Sequence, residues 1–201
     1  SDPVVLGDEP LVLIVHTHAT ESYLPQSGSN FHSTGEENTV RDVGNTLAAS
    51  LEAEGISVVH DKTLHDNPSY NNSYNRSYDT IQQLLEEYPS IQAVIDLHRD
   101  GVNENTHLVT EINGKPMARF MFFNGLSQTP EGPISYLANP FREDNLAFSL
   151  KTAVKSRGVL SWFYQKDLFK KDCVITSTCG QDQHWWRWEP RPIPLRRPAM
   201  R

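Results

Sequence analysis

The stretch LVLIVHTHATESY, Leu11 to Tyr23, decides the fold. Residues 11–15 form an unbroken aliphatic run, short and rich in Val, Leu and Ile, which suits a strand covered on both faces of a sheet. The run ends in His16, His18 and Glu21, groups able to bind a metal or move a proton. They sit at the mouth of a buried strand, where open α/β sheets bind ligands. A second stretch repeats the arrangement: IQAVIDL, Ile91 to Leu97, is largely aliphatic, holds one Asp, and finishes in His98, Arg99 and Asp100. If the two strands lie parallel and adjacent, His, Glu and His come within reach of one ion.

Between these strands the pattern is that of a parallel α/β domain. Pro25 to Glu37 is polar and reads as a loop over the strand ends. Asn38 or Thr39 can cap a helix whose Val40, Val43, Leu47, Ala48 and Leu51 share one face, with Gly55 as the stop. Ile56 to Val59 is the next strand, reached by a right-handed crossover. From His60 to Tyr78 the chain is polar, with Tyr70, Tyr74 and Tyr78 at helical spacing. That spacing suits packing against a core. Tyr70, Tyr74, Arg76 and Tyr78 also suit the wall of a groove for sugar or peptide. Helix continues through Ile81 to Tyr88, and the strand at Ile91 completes βαβαβ.

Beyond Asp100, His107 to Ile112 and Met117 to Phe123 flank Asn113-Gly114, a type I′ turn signal, so a hairpin is expected. Leu126 to Phe141 reads as irregular. Asp144 to Lys155 reads as a helix with Leu146, Leu150, Ala153 and Val154 inward.

The 201 residues suit one domain with a sizeable core. A net charge of −7 gives no electrostatic case for nucleic acid or an anionic membrane surface. No apolar run approaches the roughly 20 residues that span a bilayer. The opening SDPVVLGDEP lacks a signal-peptide pattern and reads as a domain cut from a longer protein. Cys173 and Cys179 come late and support neither a disulfide framework nor a cysteine metal site.

A hydrolytic zinc takes three protein ligands and keeps an open position for water. His16, His18, Glu21 and His98 supply more than enough. Alternate residues of a strand face opposite ways, so His16 and His18 both bind only if the backbone turns between them. Arg99 and Asp100 are placed to orient ligands or to pair with substrate carboxylates. His32, His60, His65 and His107 read as loop residues, with His65 the best placed to be an exception.

At HTHATESYLP, HDNPSYNNSYNRSYDTI and AVIDLHRDG the chain resembles the stage II sporulation protein P family of endospore-forming Firmicutes, zinc-type N-acetylmuramoyl-L-alanine amidases. The likeness runs from about Leu11 to about Lys155 and takes in GKPMARFMFF, ISYLANP and REDNLAFSL. It implies a three-layer α/β/α fold with a mostly parallel sheet. It also implies cleavage of the amide between N-acetylmuramic acid and L-alanine in peptidoglycan during spore engulfment, with some stem-peptide endopeptidase activity. The family is held in the engulfing membrane by an N-terminal anchor and works outside the cytoplasm beside a lytic transglycosylase, stage II sporulation protein D. Carried over by motif, the zinc ligands are His16 or His18 with Glu21, and His98. Glu37, near the start of the first helix, is an alternative carboxylate.

The resemblance also predicts a catalytic Glu in a last-strand motif like L-[IV]-E-[VF]-G, and none follows. From Arg157 the chain reads RGVLSWFYQKDLFKKDCVITSTCGQDQHWWRWEPRPIPLRRPAMR. Back-translation of Gln181 to Arg201, with the frame moved back one base, can give GPALVEVGAQTNTVEEARNA. The same shift over Lys171 to Cys179 gives KGLRYNQHL. Tryptophan has one codon, so Trp185, Trp186 and Trp188 leave little freedom in that match. The expected organisation is an N-terminal segment at 1–10, an amidase-like domain at 11–156 and a frameshifted tail at 157–201, with the catalytic Glu codon displaced onto Arg187 and the last strand disrupted.

Overall fold

The aliphatic run at the start of the chain forms β1 (Val12–Val15), where Leu13, Ile14 and Val15 are fully enclosed. In this computed structural model the described residues are 7–23, 31–101, 109–112, 114–118, 120–123, 128–135, 141–159 and 173–176. Helix α1 (Val40–Ala53), strand β2 (Val58–His60), helix α2 (Ser73–Glu87) and strand β3 (Ala93–Arg99) follow. Both β2 and β3 pair in parallel with β1, giving the order β2-β1-β3. The protein is therefore of the α/β class, as the sequence predicts.

Side-chain alternation divides the core into two layers. Ile14, Ile95 and Leu97 pack with Val40, Val43, Leu47 and Ala48 of α1. Leu13 and Val15 pack with Ile81 of α2 and with Ile91. Full burial of each such side chain contributes about 1.5–3 kcal/mol, which is why the register Ile14↔Ile95 is fixed. With α1 and α2 on opposite faces, the chain reverses direction across the sheet between β1 and β3. That is the switch point where open α/β sheets place ligands.

Helix α1 follows its predicted face closely. Gly55 takes the left-handed conformation, φ 79°, that ends it. Thr39 is the N-cap residue, but its hydroxyl donates to the Glu36 carbonyl instead of capping. Arg41 lies buried among the aliphatic residues, its guanidinium spent on the carbonyls of Ala19, Ser33, Thr34 and Gly35. It fastens the loop after β1 to the helix.

The second half departs from expectation in three ways. The hairpin forms as β4 (Val109–Ile112) and β5 (Lys115–Ala118), with Ile112 opposite Lys115, so the return strand starts directly after the two-residue turn rather than at Met117. Within the segment read as irregular, β6 (Gln128–Thr129) and β7 (Gly132–Pro133) make a small second hairpin. Helix α3 (Arg142–Val159) is longer than predicted, and Leu146 and Leu150 are exposed while Ser149 is buried. Its inward face is thus a polar one, and nothing among the described residues covers its leucines.

The last strand also needs correction. Residues Cys173–Thr176 form β8, antiparallel to β3 and completing the order β2-β1-β3-β8. The edge of β3 that the sequence leaves open is covered, because ladder hydrogen bonds need only an extended backbone. Residues 160–172, with Trp162, and 177–201, with Trp185, Trp186 and Trp188, lie outside the described residues.

Candidate functional site

Glu21 and His98 meet at the ends of β1 and β3. Glu21 Oε2 is 3.6 Å from His98 Nδ1 and accepts the Arg99 backbone N–H at 2.7 Å. His18 completes the group, its ring centroid 5.3 Å from that of His98. The backbone leaves the strand after Val15 and turns through residues 17–20, which brings His18 round to β3. His16 is still governed by strand alternation and falls on the α1 side with Leu97. Of the two histidines His16 and His18, it is His18 that stands beside Glu21 and His98.

His16 is instead wholly enclosed. Its Nδ1 donates to the Leu97 carbonyl at 3.0 Å, which leaves Nε2 to accept from His60 Nε2–H at 2.8 Å. Burial pushes His16 down to about 3 and His60 to about 4, so both stay neutral in the fold. The His16 carbonyl accepts from His65 Nδ1–H, whose Nε2 meets the Thr80 hydroxyl. His65, singled out as an exception among the loop histidines, fastens a loop.

The wall beside His18 is aromatic. Tyr70 stacks on its ring at 4.2 Å with the planes 3° apart, and Tyr74 meets it edge-on at 5.2 Å. Ser73 Oγ lies 3.3 Å from His18 Nδ1. Burial, and then the nearby His98, lower the His18 pKa. Tyr70 remains 59% exposed, a ring available to a ligand. Arg76 does something else: its guanidinium holds the carbonyls of His65, Ser69 and Asn71 and shapes the loop carrying Tyr70. Tyr78 is half-buried on α2.

Arg99 and Asp100 close β3. Arg99 Nη1 donates to the Asp100 carbonyl, and Arg99 Nε is a buried donor with no hydrogen-bond partner among the described residues. Glu37 is exposed, whereas the Glu21 carboxylate lies at His98. A cavity of about 270 Å³ beside Tyr70 is lined by Thr20, His32, Asp66 and Asn67 among others. Asp66 accepts from the Thr20 amide and hydroxyl. It is not among the residues singled out in the sequence, although it falls within HDNPSYNNSYNRSYDTI.

Asp96 was visible only as an acid inside an aliphatic strand. It is buried against His98, with Oδ2 3.0 Å from Nε2. Burial alone would lower the His98 pKa, but Asp96 and Glu21 outweigh it and raise it to about 10. As the side chains stand, no three His, Cys, Asp or Glu among the described residues converge on a metal position. The donor types gathered at the strand ends, two imidazoles and a carboxylate, are nevertheless those of hydrolytic zinc sites.

The profile of the stage II sporulation protein P family matches residues 4–156. The chain belongs to this family. Stage II sporulation protein P of Bacillus subtilis (strain 168) is 33% identical over 129 residues, covering 59% of this chain and 32% of that protein. The chain thus spans about a third of the length of that relative. No solved structure matches. Family membership ties the chain to sporulation, and the matched region contains all of β1, β3 and α2, hence every residue of the His18, Glu21, His98 and Tyr70 cluster. Among the described residues no helix is long and apolar enough to cross a membrane.

Proposed function

We propose that this chain is a peptidoglycan hydrolase domain that cleaves the N-acetylmuramoyl-L-alanine amide, with stem-peptide endopeptidase activity at the same centre, during spore engulfment. The observation that carries the reading is the meeting of His18, Glu21 and His98 at the β1/β3 switch point beside an exposed tyrosine. His18, Glu21 and His98 would hold a zinc ion, their side chains drawing together from the positions described above. A zinc ion held there supplies a Lewis acid for the amide carbonyl and acidifies a bound water. The Arg99 backbone N–H fixes Glu21, and the Arg99 side chain at the same strand end would pair with a stem-peptide carboxylate. Asp100 lies one residue further out at the same mouth. Tyr70 offers its exposed ring to the glycan or the peptide.

The general base is missing from this chain. We assign residues 157–201 to a shifted reading frame, on the strength of the codon match and of the family match ending at residue 156. The chain as written then binds zinc and substrate but turns over poorly. In the longer protein the domain works outside the cytoplasm at the engulfing membrane, beside a lytic transglycosylase of the stage II sporulation protein D type.

The test is zinc-dependent release of stem peptides from purified peptidoglycan by this chain and by one with its frame restored after about Leu150. Release by the restored chain alone, stopped by a chelator, is the expected result. Equal activity in both chains would refute the frameshift. Retention on peptidoglycan without zinc, and no release by either chain, would make the domain a binding module.

A further inference from the structure

Asp96 lies on β3 between Ile95 and Leu97, is 8% exposed, and has no part in the chemistry above. Its carboxylate is fixed from one side. Oδ1 accepts the Thr17 amide N–H at 2.9 Å, and Oδ2 accepts the Thr17 hydroxyl at 2.7 Å. The Thr17 hydroxyl in turn lies 2.9 Å from Ser77 Oγ on α2, so the strand end and the helix hold the carboxylate together. Oδ2 also lies 3.0 Å from His98 Nε2. His98 therefore stands between two carboxylates of different character. Asp96 is enclosed and occupied by donors, whereas Glu21 stands at the strand end, where the other nitrogen of the ring meets it at 3.6 Å.

We propose that Asp96 is the positioning residue for His98: it accepts a hydrogen bond from Nε2–H and so commits Nδ1 to the metal. This rests on the zinc reading above. A ring whose outer N–H is held by a carboxylate has its tautomer and orientation set before the ion arrives, and its ligating nitrogen is made more basic. The alternative, Nε2 on the metal, would require the ring to flip and would leave Asp96 Oδ2 without its imidazole donor in a dry site. Ser73 and Ser77, one helical turn apart on α2, then serve the two histidine ligands: Ser73 touches His18 directly, and Ser77 acts through Thr17 and Asp96.

The experiment uses the full chain, labelled with ¹⁵N at histidine and loaded with ¹¹³Cd in place of zinc. Metal–nitrogen coupling identifies the ligating atom of His98, assigned by its loss in His98→Gln. Coupling to Nδ1, with Nε2 carrying a hydrogen-bonded proton, is expected. Coupling to Nε2, or metal bound with no coupling to His98, overturns the inference while leaving a metal site in place. No metal uptake removes the zinc reading and the inference with it. Asp96→Asn, which keeps the shape but loses the anionic acceptor, should weaken zinc binding by about 10–100-fold in chelator competition. A well-folded Asp96→Asn with unchanged zinc affinity would also overturn the positioning role. If that variant does not fold, the coupling measurement on the unsubstituted chain decides.

Discussion

Replacing Gly44 with alanine puts the packing behind the site under direct strain. A Cβ built at Gly44 would lie 2.5 Å from His60 Nε2, 2.6 Å from His60 Cε1 and 2.9 Å from His16 Nε2. None of these distances is tolerable, so a ring must move. His16 is anchored through Nδ1 to the Leu97 carbonyl, so His60 yields and the 2.8 Å bond between the imidazoles is lost. Overpacking costs about 1–3 kcal/mol, and the stranded His16 Nε2 about 1–3 kcal/mol more. The better helix propensity of alanine offsets about 1 kcal/mol. A net loss of about 3 kcal/mol follows, which in a chain of this size lowers Tm by roughly 6–12 °C. Thermal unfolding by circular dichroism measures it. The mechanism is isolated by repeating the change in a His60→Ala background, where the obstructing ring is gone. There only the 2.9 Å approach to the anchored His16 Nε2 remains, so the same substitution should cost clearly less than in the unmodified chain. If Gly44→Ala stabilises the unmodified chain, the close approach of helix and histidines is wrong.

Two further outcomes follow from the same geometry. In the metal-free protein, stability should be greatest near pH 6.5 and fall on either side, as denaturant unfolding across a pH series would reveal. His16 and His60 are lowered to about 3 and 4 by burial, so their contribution is present above 6.5 and lost as pH falls toward those values. His98 is raised to about 10 by Asp96 and Glu21 against the opposing effect of burial, so its contribution is present below 6.5 and lost as pH rises through 10. A curve still rising above pH 8 would contradict the His98 part. Separately, Tyr70→Ala should cost little stability, about 0.5–1.5 kcal/mol for the lost stacking, while reducing retention on purified peptidoglycan. Unchanged retention with a lowered Tm would make the ring a packing element only.

The parts of this protein legible in its sequence are those where one physical requirement dominates. Leu13 to Val15 must be covered on both faces, so their strand, its central place and its polar end could be read directly. The spacing of Val40, Val43 and Leu47 likewise fixed which side of α1 is inward. What escaped reading depends on contacts distant in the chain. His16 and His18 look alike until strand alternation ends between them, and only the turn at residues 17–20 separates a core histidine from one at the site. Arg76 looked like a groove residue because it is cationic among tyrosines, yet three carbonyls hold it. Helix α3 shows the opposite failure, since its leucines have the right spacing but the surface needed to bury them is not supplied by the described residues.

On the proposed frameshift reading, strand β8 indicates how a chain could keep the architecture of such a site and lack part of its chemistry. The edge of β3 presents backbone N–H and C=O groups that any extended segment can satisfy, and the sequence of Cys173–Thr176, with Val, Ile and Thr in succession, has the β-branched character that favours strands. Pairing is therefore tolerant of a change in reading frame. A general base is not, because it needs one carboxylate at one position beyond the strand. His18, Glu21 and His98 stand at the ends of β1 and β3, which are held by the buried core on both faces. Zinc affinity and catalysis should accordingly separate in this chain, with restored frame recovering turnover and leaving metal binding within a few-fold of its present value.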